Sequence, residues 1–158
     1  MYQSGALLRW AARLGKGYLY PVDDLMLCFK IDEMLGLSDD LARAWQPAMY
    51  IAMSHTTYGY PEEWADKAAT VKKLREKFVA ENLPKFMTHL TNELEATGAF
   101  LCGPNPTIAD CQMIPQVDYF TRGVADHVPK DCIDKYPAVL AWIARFKALP
   151  ELKAFYAA

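Results

Sequence analysis

The segment from Phe100 to Asp110 constrains the fold of this chain more than any other stretch of its sequence. It contains a glycine-proline turn and places Thr107 three residues before Asp110. A threonine at a helix N-cap accepts the backbone N–H three residues on, and a carboxylate at that position accepts the N–H of the cap in return. Apolar residues then continue as far as Phe120. The pattern predicts a buried core helix that begins after Thr107, with Thr107 and Asp110 as its structural capping box.

The rest of the chain is also patterned as helix. Apolar residues recur at the helical period across residues 25–53 and 64–94, and no stretch alternates convincingly as a strand does. Pro137 and Pro150 are predicted to open the last two helices, because proline suits the first helical position. The 158 residues are enough for one domain with a sizeable core. The fold class expected is therefore all-α, with residues 1–158 forming a single helical bundle.

Three local features of these helices are less regular. Ser4 is predicted to cap a first helix over residues 5–16, and Pro61 is predicted to open a helix that includes Trp64. Pro47 and Pro115 fall inside helical patterns, where we expect kinks with the helix retained. The expected apolar face of the first helix consists of Leu7, Trp10, Ala11 and Leu14.

Composition excludes several function classes. The formal charge is −2 and no long run of like charge occurs, so no nucleic-acid ligand is expected. No run approaches the ~20 apolar residues that span a bilayer. The four cysteines lack the spacing of a zinc site or redox pair and are interpreted as small buried residues in a reducing cytosol. We therefore expect a cytosolic protein without a bound metal or a membrane partner.

No self-contained catalytic signature occurs in the sequence. His55, His89 and His127 have no patterned partner and are interpreted as surface or hydrogen-bonded residues. Gln3 and Ser4 are the strongest functional candidates, because a serine at a helix N-terminus, with the free N–H groups of the first turn, binds a carboxylate well. The equal alternative is that Ser4 only caps its helix.

The order of these motifs resembles the helical C-terminal domain of glutathione transferases. In that family a glycine turn and a T/S-x-A-D box open the buried central helix, and a later helix begins at an aromatic-proline pair, as Tyr136-Pro137 does here. The resemblance extends to the first residues, where residues 3–12 look like the glutathione-contacting turn and the helix after it. Residues 82–86 are similar to the sigma class and residues 114–117 to the isomerase-type class.

The resemblance implies a function and site residues. Gln3 and Ser4 would contact the γ-glutamyl end of glutathione, and Tyr50 and Met53 would wall the pocket for a hydrophobic electrophile. Glutathione would be a co-substrate, no other cofactor is implied, and the protein would be a homodimer. Asp39 or Asp40 would correspond loosely to an acid that some members offer to glutathione in the partner subunit.

One departure leaves two functions open. In the family, the residue that activates the thiol lies on a thioredoxin-like domain before the Gln-Ser turn, and here only two residues precede Gln3. No catalytic residue is therefore assigned, and the chain alone is expected to be inactive. The first hypothesis is the helical part of a glutathione transferase. The alternative is a non-catalytic module that dimerises or docks.

Overall fold

A computed structural model describes residues 3–15 and 17–156, with the side chain of Ala154 excluded. Over these residues the fold is all-α, as predicted, and the only β feature is an isolated bridge between Phe100 and Gly103. The helices, in chain order, are α1 (Ser4–Leu14), α2 (Leu25–Ser54), a 3₁₀ turn (His55–Tyr58), α3 (Lys67–Lys77), a π-helical segment (Phe78–Asn82), α4 (Leu83–Thr97), α5 (Ile108–Tyr119), α6 (Pro137–Lys147) and α7 (Pro150–Tyr156).

Helix α2 is the longest element and packs against α5 and α3. Asp24 is its N-cap and accepts the backbone N–H of Leu27 at 2.9 Å, which satisfies one of the free donors of the first turn. Pro47 lies inside the helix without ending it. The core between these helices is mostly apolar, and its least accessible apolar side chains are those of Ile31, Met34, Leu41, Met113, Ile114 and Val117.

Helix α5 begins where the sequence predicts, and its capping box is present. Asp110 is completely buried and accepts four hydrogen bonds. Its Oδ2 accepts the backbone N–H of Thr107 at 2.8 Å and the Thr107 hydroxyl at 3.1 Å. Its Oδ1 accepts the backbone N–H of Leu101 at 3.0 Å and the indole N–H of Trp142 at 2.8 Å. The carboxylate thus ties the turn before α5 to α6.

The predicted irregularities of the long helices are resolved in different ways. Pro115 is retained inside α5, as expected. The run from α3 to α4 continues without a gap because a π-helical segment joins the two just before Pro84, which occupies the first turn of α4. Gly98 ends α4 with φ of 93°, a left-handed backbone that glycine adopts without steric cost.

The prediction that a helix begins at Pro61 is wrong. Helix α3 begins at Lys67, and Trp64 lies in the preceding turn, stacked on Tyr60 with ring centroids 3.9 Å apart. His55 Nε2 also lies 3.2 Å from the carbonyl oxygen of Glu62. These contacts within the turn stabilise a compact loop in place of a first helical turn.

The apolar face predicted for the first helix is exposed in the structure. Trp10 is 53% and Leu14 is 66% accessible, whereas Ala12 on the opposite side is buried. The predicted helix is present, but its apolar side faces away from the bundle. The described residues leave the side chains of Trp10 and Leu14 uncovered.

Candidate functional site

The turn that opens α1 differs by one residue from the prediction. Gln3, rather than Ser4, is the N-cap, and Ser4 is the first helical residue. Gln3 has φ of 50° and ψ of 93°, a conformation that is uncommon for a residue with a side chain. Its carbonyl oxygen accepts the backbone N–H groups of Ala6 and Leu7, each at 3.1 Å. Both Gln3 and Ser4 are exposed, so this turn is open to a ligand.

Helix α1 is held on the bundle by a polar cluster. The Arg9 guanidinium donates to Asp32 Oδ1 from Nε at 3.0 Å and from Nη2 at 2.8 Å. The Tyr20 hydroxyl donates to the other oxygen of Asp32 at 3.1 Å. Since Asp32 lies on α2, the cluster fixes the direction of α1, and with it the position of the Gln3 turn relative to α2.

A cavity of about 480 Å³ lies between α2 and α5. Its walls are mostly apolar, as is usual for small-molecule sites. The lining side chains are those of Leu41, Ala42, Arg43, Trp45, Gln46, Met49, Tyr50, Pro115, Gln116, Tyr119 and Phe120.

Aromatic packing forms the deep wall of this cavity. Trp45 is buried and its ring lies 4.9 Å from that of Phe78 and 5.4 Å from that of Phe120, in tilted and edge-on arrangements. Such pairs are rigid as well as favourable. The wall is therefore preformed.

Polar groups line one side of the cavity. The Gln116 amide donates to the Ser38 hydroxyl at 2.6 Å, and Arg43 is paired with Asp40. Nearby, the Gln112 amide donates to Asp39 at 2.9 Å. Both aspartates thus have partners on this face of the molecule.

The two predicted pocket residues separate in the structure. Tyr50 lines the cavity, whereas Met53 is 73% exposed and does not. Helix geometry explains this, because three residues fall short of one turn and the side chains of Tyr50 and Met53 therefore differ in direction by about 60°. The sequence analysis names neither Trp45 nor Gln116 as a pocket residue, although both line the cavity. Apolar periodicity does not distinguish Trp45 from a core residue.

Comparison with known proteins identifies the domain. The family model for the C-terminal domain of glutathione S-transferases matches residues 54–158. The chain belongs to this family. No curated protein sequence matches it at a significant level.

Two solved structures share the fold of this transferase-family domain. NaGST-2 has a TM-score of 0.75 and 17% identity over 99% of this chain. The Pi-class glutathione S-transferase of Onchocerca volvulus has a TM-score of 0.72 and 21% identity over 99% of this chain. The chain spans 68% and 64% of the length of these two proteins respectively.

The cysteines of this domain lack an activated thiol. All four are free, and Cys28 is buried. Burial raises the pKa of the Cys102 thiol to about 12 and that of the Cys111 thiol to about 11. Burial also raises the pKa of Cys132. Because the thiolate is the nucleophile, these side chains are poor candidates for catalysis.

We expect all four thiols to react slowly with 5,5′-dithiobis(2-nitrobenzoate) in the folded domain at pH 7.5. The raised pKa disfavours the thiolate of Cys102, Cys111 and Cys132, and burial limits access of the reagent to Cys28. Free cysteine under the same conditions and the domain in 6 M guanidinium chloride are the controls, and both should react fast. A native thiol that reacts as fast as free cysteine would contradict the assignment.

The described residues contain neither a group that would hold a metal nor a helix long and apolar enough to cross a membrane. His89 lies 3.7 Å from Glu93 on α4, and His127 is exposed in a loop. The three histidines do not meet.

Proposed function

We propose that this domain is the helical part of a glutathione transferase, in which the cavity between α2 and α5 receives the hydrophobic part of an electrophile. The observation that carries the proposal is the preformed, largely apolar cavity of about 480 Å³ in a member of this family. Apolar walls favour an uncharged aromatic or aliphatic group. The reaction would be attack of the glutathione thiolate on the electrophilic carbon of that substrate.

The glutathione end of the site is proposed at the turn that opens α1. The backbone N–H groups of Ser4 and Gly5 lie in the first turn, where helical N–H groups have no partner within the helix. Together with the Ser4 hydroxyl and the Gln3 amide they suit the γ-glutamyl carboxylate of glutathione. The unusual backbone of Gln3 supports this assignment, because strained residues cluster at ligand sites.

A thioredoxin-like domain is proposed to complete the site and to activate the thiol. The exposed apolar face of α1, with Trp10 and Leu14, offers it a docking surface beside the Gln3 turn. About a third of the length of the two related structures lies outside the part that this chain spans, which leaves room in them for such a domain. The chain alone is then expected to be inactive, because the residue that activates the glutathione thiol would lie on that domain.

Association as a homodimer in the cytosol is part of the same proposal. Leu25, Met26 and Phe29 at the start of α2 are each at least 66% exposed, and an apolar group of this kind favours protein contact. Free thiols suit a reducing compartment. The same exposed residues favour the second candidate function, a dimerisation or docking module without chemistry.

Expression of two forms of the protein tests the proposal. The chain alone and the chain with the segment encoded upstream of Met1 are compared for retention on immobilised glutathione and for conjugation of glutathione to 1-chloro-2,4-dinitrobenzene. Retention and turnover by the longer form only are expected. A longer form that contains a thioredoxin-like segment yet neither binds glutathione nor turns over would overturn the transferase assignment and favour the docking module.

Tyr50 and Met53 provide a matched pair for the cavity. In the form that turns over, Tyr50→Ala is expected to raise KM for 1-chloro-2,4-dinitrobenzene about fivefold, because it removes an aromatic contact worth about 1 kcal/mol. Met53→Ala, which changes a residue outside the cavity, should leave KM unchanged. Initial rates at saturating glutathione measure both. An equal effect of the two variants would place the substrate elsewhere.

A further inference from the structure

Helix α1 presents two different sides to its surroundings. Its apolar side, with Trp10 and Leu14, is exposed. A different side is tied to α2 by the polar cluster of Arg9, Asp32 and Tyr20. An exposed apolar side marks a contact with something outside the bundle. In the function proposed above, that partner is the thioredoxin-like domain, so α1 lies between this domain and the bundle.

Arg9 is the direct link from α1 to α2. Its Nε and Nη2 both donate to Oδ1 of Asp32, at 3.0 and 2.8 Å. Its Nη1 donates at 3.1 Å to the carbonyl oxygen of Gly5, which follows Ser4 in the first turn of α1. The guanidinium group is planar and its donors are fixed relative to one another. One rigid group therefore connects the turn that opens α1 with α2.

Tyr20 adds a link from the connector between α1 and α2. It is buried, and its hydroxyl donates to Oδ2 of Asp32 at 3.1 Å. Burial and the Asp32 carboxylate raise the pKa of Tyr20, so the hydroxyl keeps the proton that it donates. The guanidinium of Arg13 on α1 lies over the ring, with its Cζ 5.4 Å from the centroid. The connector is thus held by α1 and by α2.

The connector is also tied to α5, the other helix that lines the electrophile cavity. The backbone N–H of Ile108, the first residue of α5, donates to the carbonyl oxygen of Leu19 at 3.1 Å. The N–H groups in the first turn of a helix have no partner within the helix, so this bond satisfies one of them. Contacts around Asp32 and Leu19 therefore join α1 to both walls of the cavity.

We propose that Arg9, Asp32 and Tyr20 form the joint between the two halves of the transferase site, an inference that rests on the proposed function. One half is the glutathione turn on α1 with the domain that docks there, and the other is the cavity between α2 and α5. The joint sets the direction in which the glutathione thiolate meets the electrophile. A misplacement of about 1 Å between reacting groups lowers a rate by up to about a hundredfold. The three side chains are positioning residues, because they act through α1.

Hydrogen exchange in the chain alone tests the joint without any need for turnover. Asp32→Asn keeps the size of the side chain and removes the charge that Arg9 and Tyr20 share. We expect it to raise the exchange rates of the α1 backbone amides about tenfold, while those of α5 stay within about twofold of the wild type. Tyr20→Phe, which removes one donor only, should raise the α1 rates about threefold.

Glu33→Gln is the control, because this exposed carboxylate follows Asp32 on α2 but pairs with Lys30. It should leave the exchange of α1 unchanged. Circular dichroism checks that all three variants fold. If the α1 amides exchange equally fast in Asp32→Asn and Glu33→Gln, the joint is refuted, whether or not the protein is a transferase.

Steady-state kinetics of the form with the upstream segment test the alignment. In Asp32→Asn we expect kcat for 1-chloro-2,4-dinitrobenzene to fall about tenfold, with the KM of each substrate within about twofold of the wild type. Each half keeps its own binding groups, so only their alignment is lost. A raised KM for glutathione with kcat unchanged would overturn the proposal, because the cluster would then only shape the turn at Gln3. Absence of turnover in the wild type would refute the transferase function, and the exchange result alone would then decide the joint.

Discussion

Replacement of Asp110 by alanine is expected to lower the free energy of unfolding by about 3–5 kcal/mol. The carboxylate is completely buried and accepts hydrogen bonds from Thr107, Leu101 and Trp142. Alanine would leave these donors without a partner inside the protein. Each buried donor that loses its partner costs about 1–3 kcal/mol, and the losses overlap because the donors share one acceptor group.

Urea denaturation at 25 °C, followed by far-ultraviolet circular dichroism, measures this loss. Asp110→Asn is the companion variant, because it keeps the size of the side chain and one acceptor oxygen but turns an amide group toward Thr107. Its free energy of unfolding should fall by about 2–3 kcal/mol, and this variant can still be measured if the alanine variant does not fold. Thr107→Ser, which keeps the hydroxyl group, should lose less than about 1 kcal/mol. A loss below 1 kcal/mol in both Asp110 variants would show that the carboxylate is dispensable.

The bond from Trp142 to Asp110 marks the limit of sequence reasoning about this helix. The capping box was predictable because Thr107 and Asp110 are three residues apart, and local spacing fixes which groups meet on a helix. Trp142 is 32 residues further along the chain. No periodicity in the sequence connects it to Asp110, since the contact depends on how α6 packs across the bundle.

The orientation of the helices also could not be predicted from the sequence. The period of α1 showed that Trp10 and Leu14 share a face, and this is correct. It did not show whether that face turns toward the bundle. Periodicity gives the residues that share a face of the eleven-residue helix, but not the neighbour that this face meets. The polar cluster of Arg9, Asp32 and Tyr20 decides the outcome here, and it joins residues more than ten positions apart.

The candidate site was predictable only in part for the same reason. Gln3, Ser4 and Tyr50 came from a likeness to the family, and Tyr50 does line the cavity between α2 and α5. The facing wall comes from α5 and the residue after it, which lie about 65–70 positions away in the chain.

Asp118 is expected to make stability depend on pH. It is 5% exposed and accepts hydrogen bonds from Lys147 at 2.6 Å and from Arg122 at 3.2 Å. Burial by itself would raise its pKa, but the hydrogen bonds and charges of Lys147 and Arg122 outweigh burial and lower the pKa below the usual 3.8. A carboxyl group whose pKa is lower in the folded than in the unfolded protein stabilises the fold when it is ionised.

We expect Asp118→Asn to lower the free energy of unfolding by about 1–3 kcal/mol at pH 7, where the carboxylate is charged in both states of the wild type. The difference between wild type and variant should shrink as the pH falls below about 4, where the unfolded chain begins to bind the proton first. It should reach its minimum below the lowered pKa of the folded protein. Urea titrations from pH 2.5 to 7 measure the difference.

Asp40→Asn is the control for this experiment, because Asp40 pairs with Arg43 on an exposed part of α2, where both side chains are more than half accessible. Exposed pairs of this kind contribute about 0–1 kcal/mol, so the control should show little dependence on pH. A loss at Asp118 that stays constant down to pH 2.5 would mean that the asparagine perturbs packing and that the ion pairs with Lys147 and Arg122 contribute nothing. A loss that disappears in acid would show that Lys147, which joins α6 to the end of α5, and Arg122, in the turn after α5, stabilise the helix that forms one wall of the proposed substrate cavity.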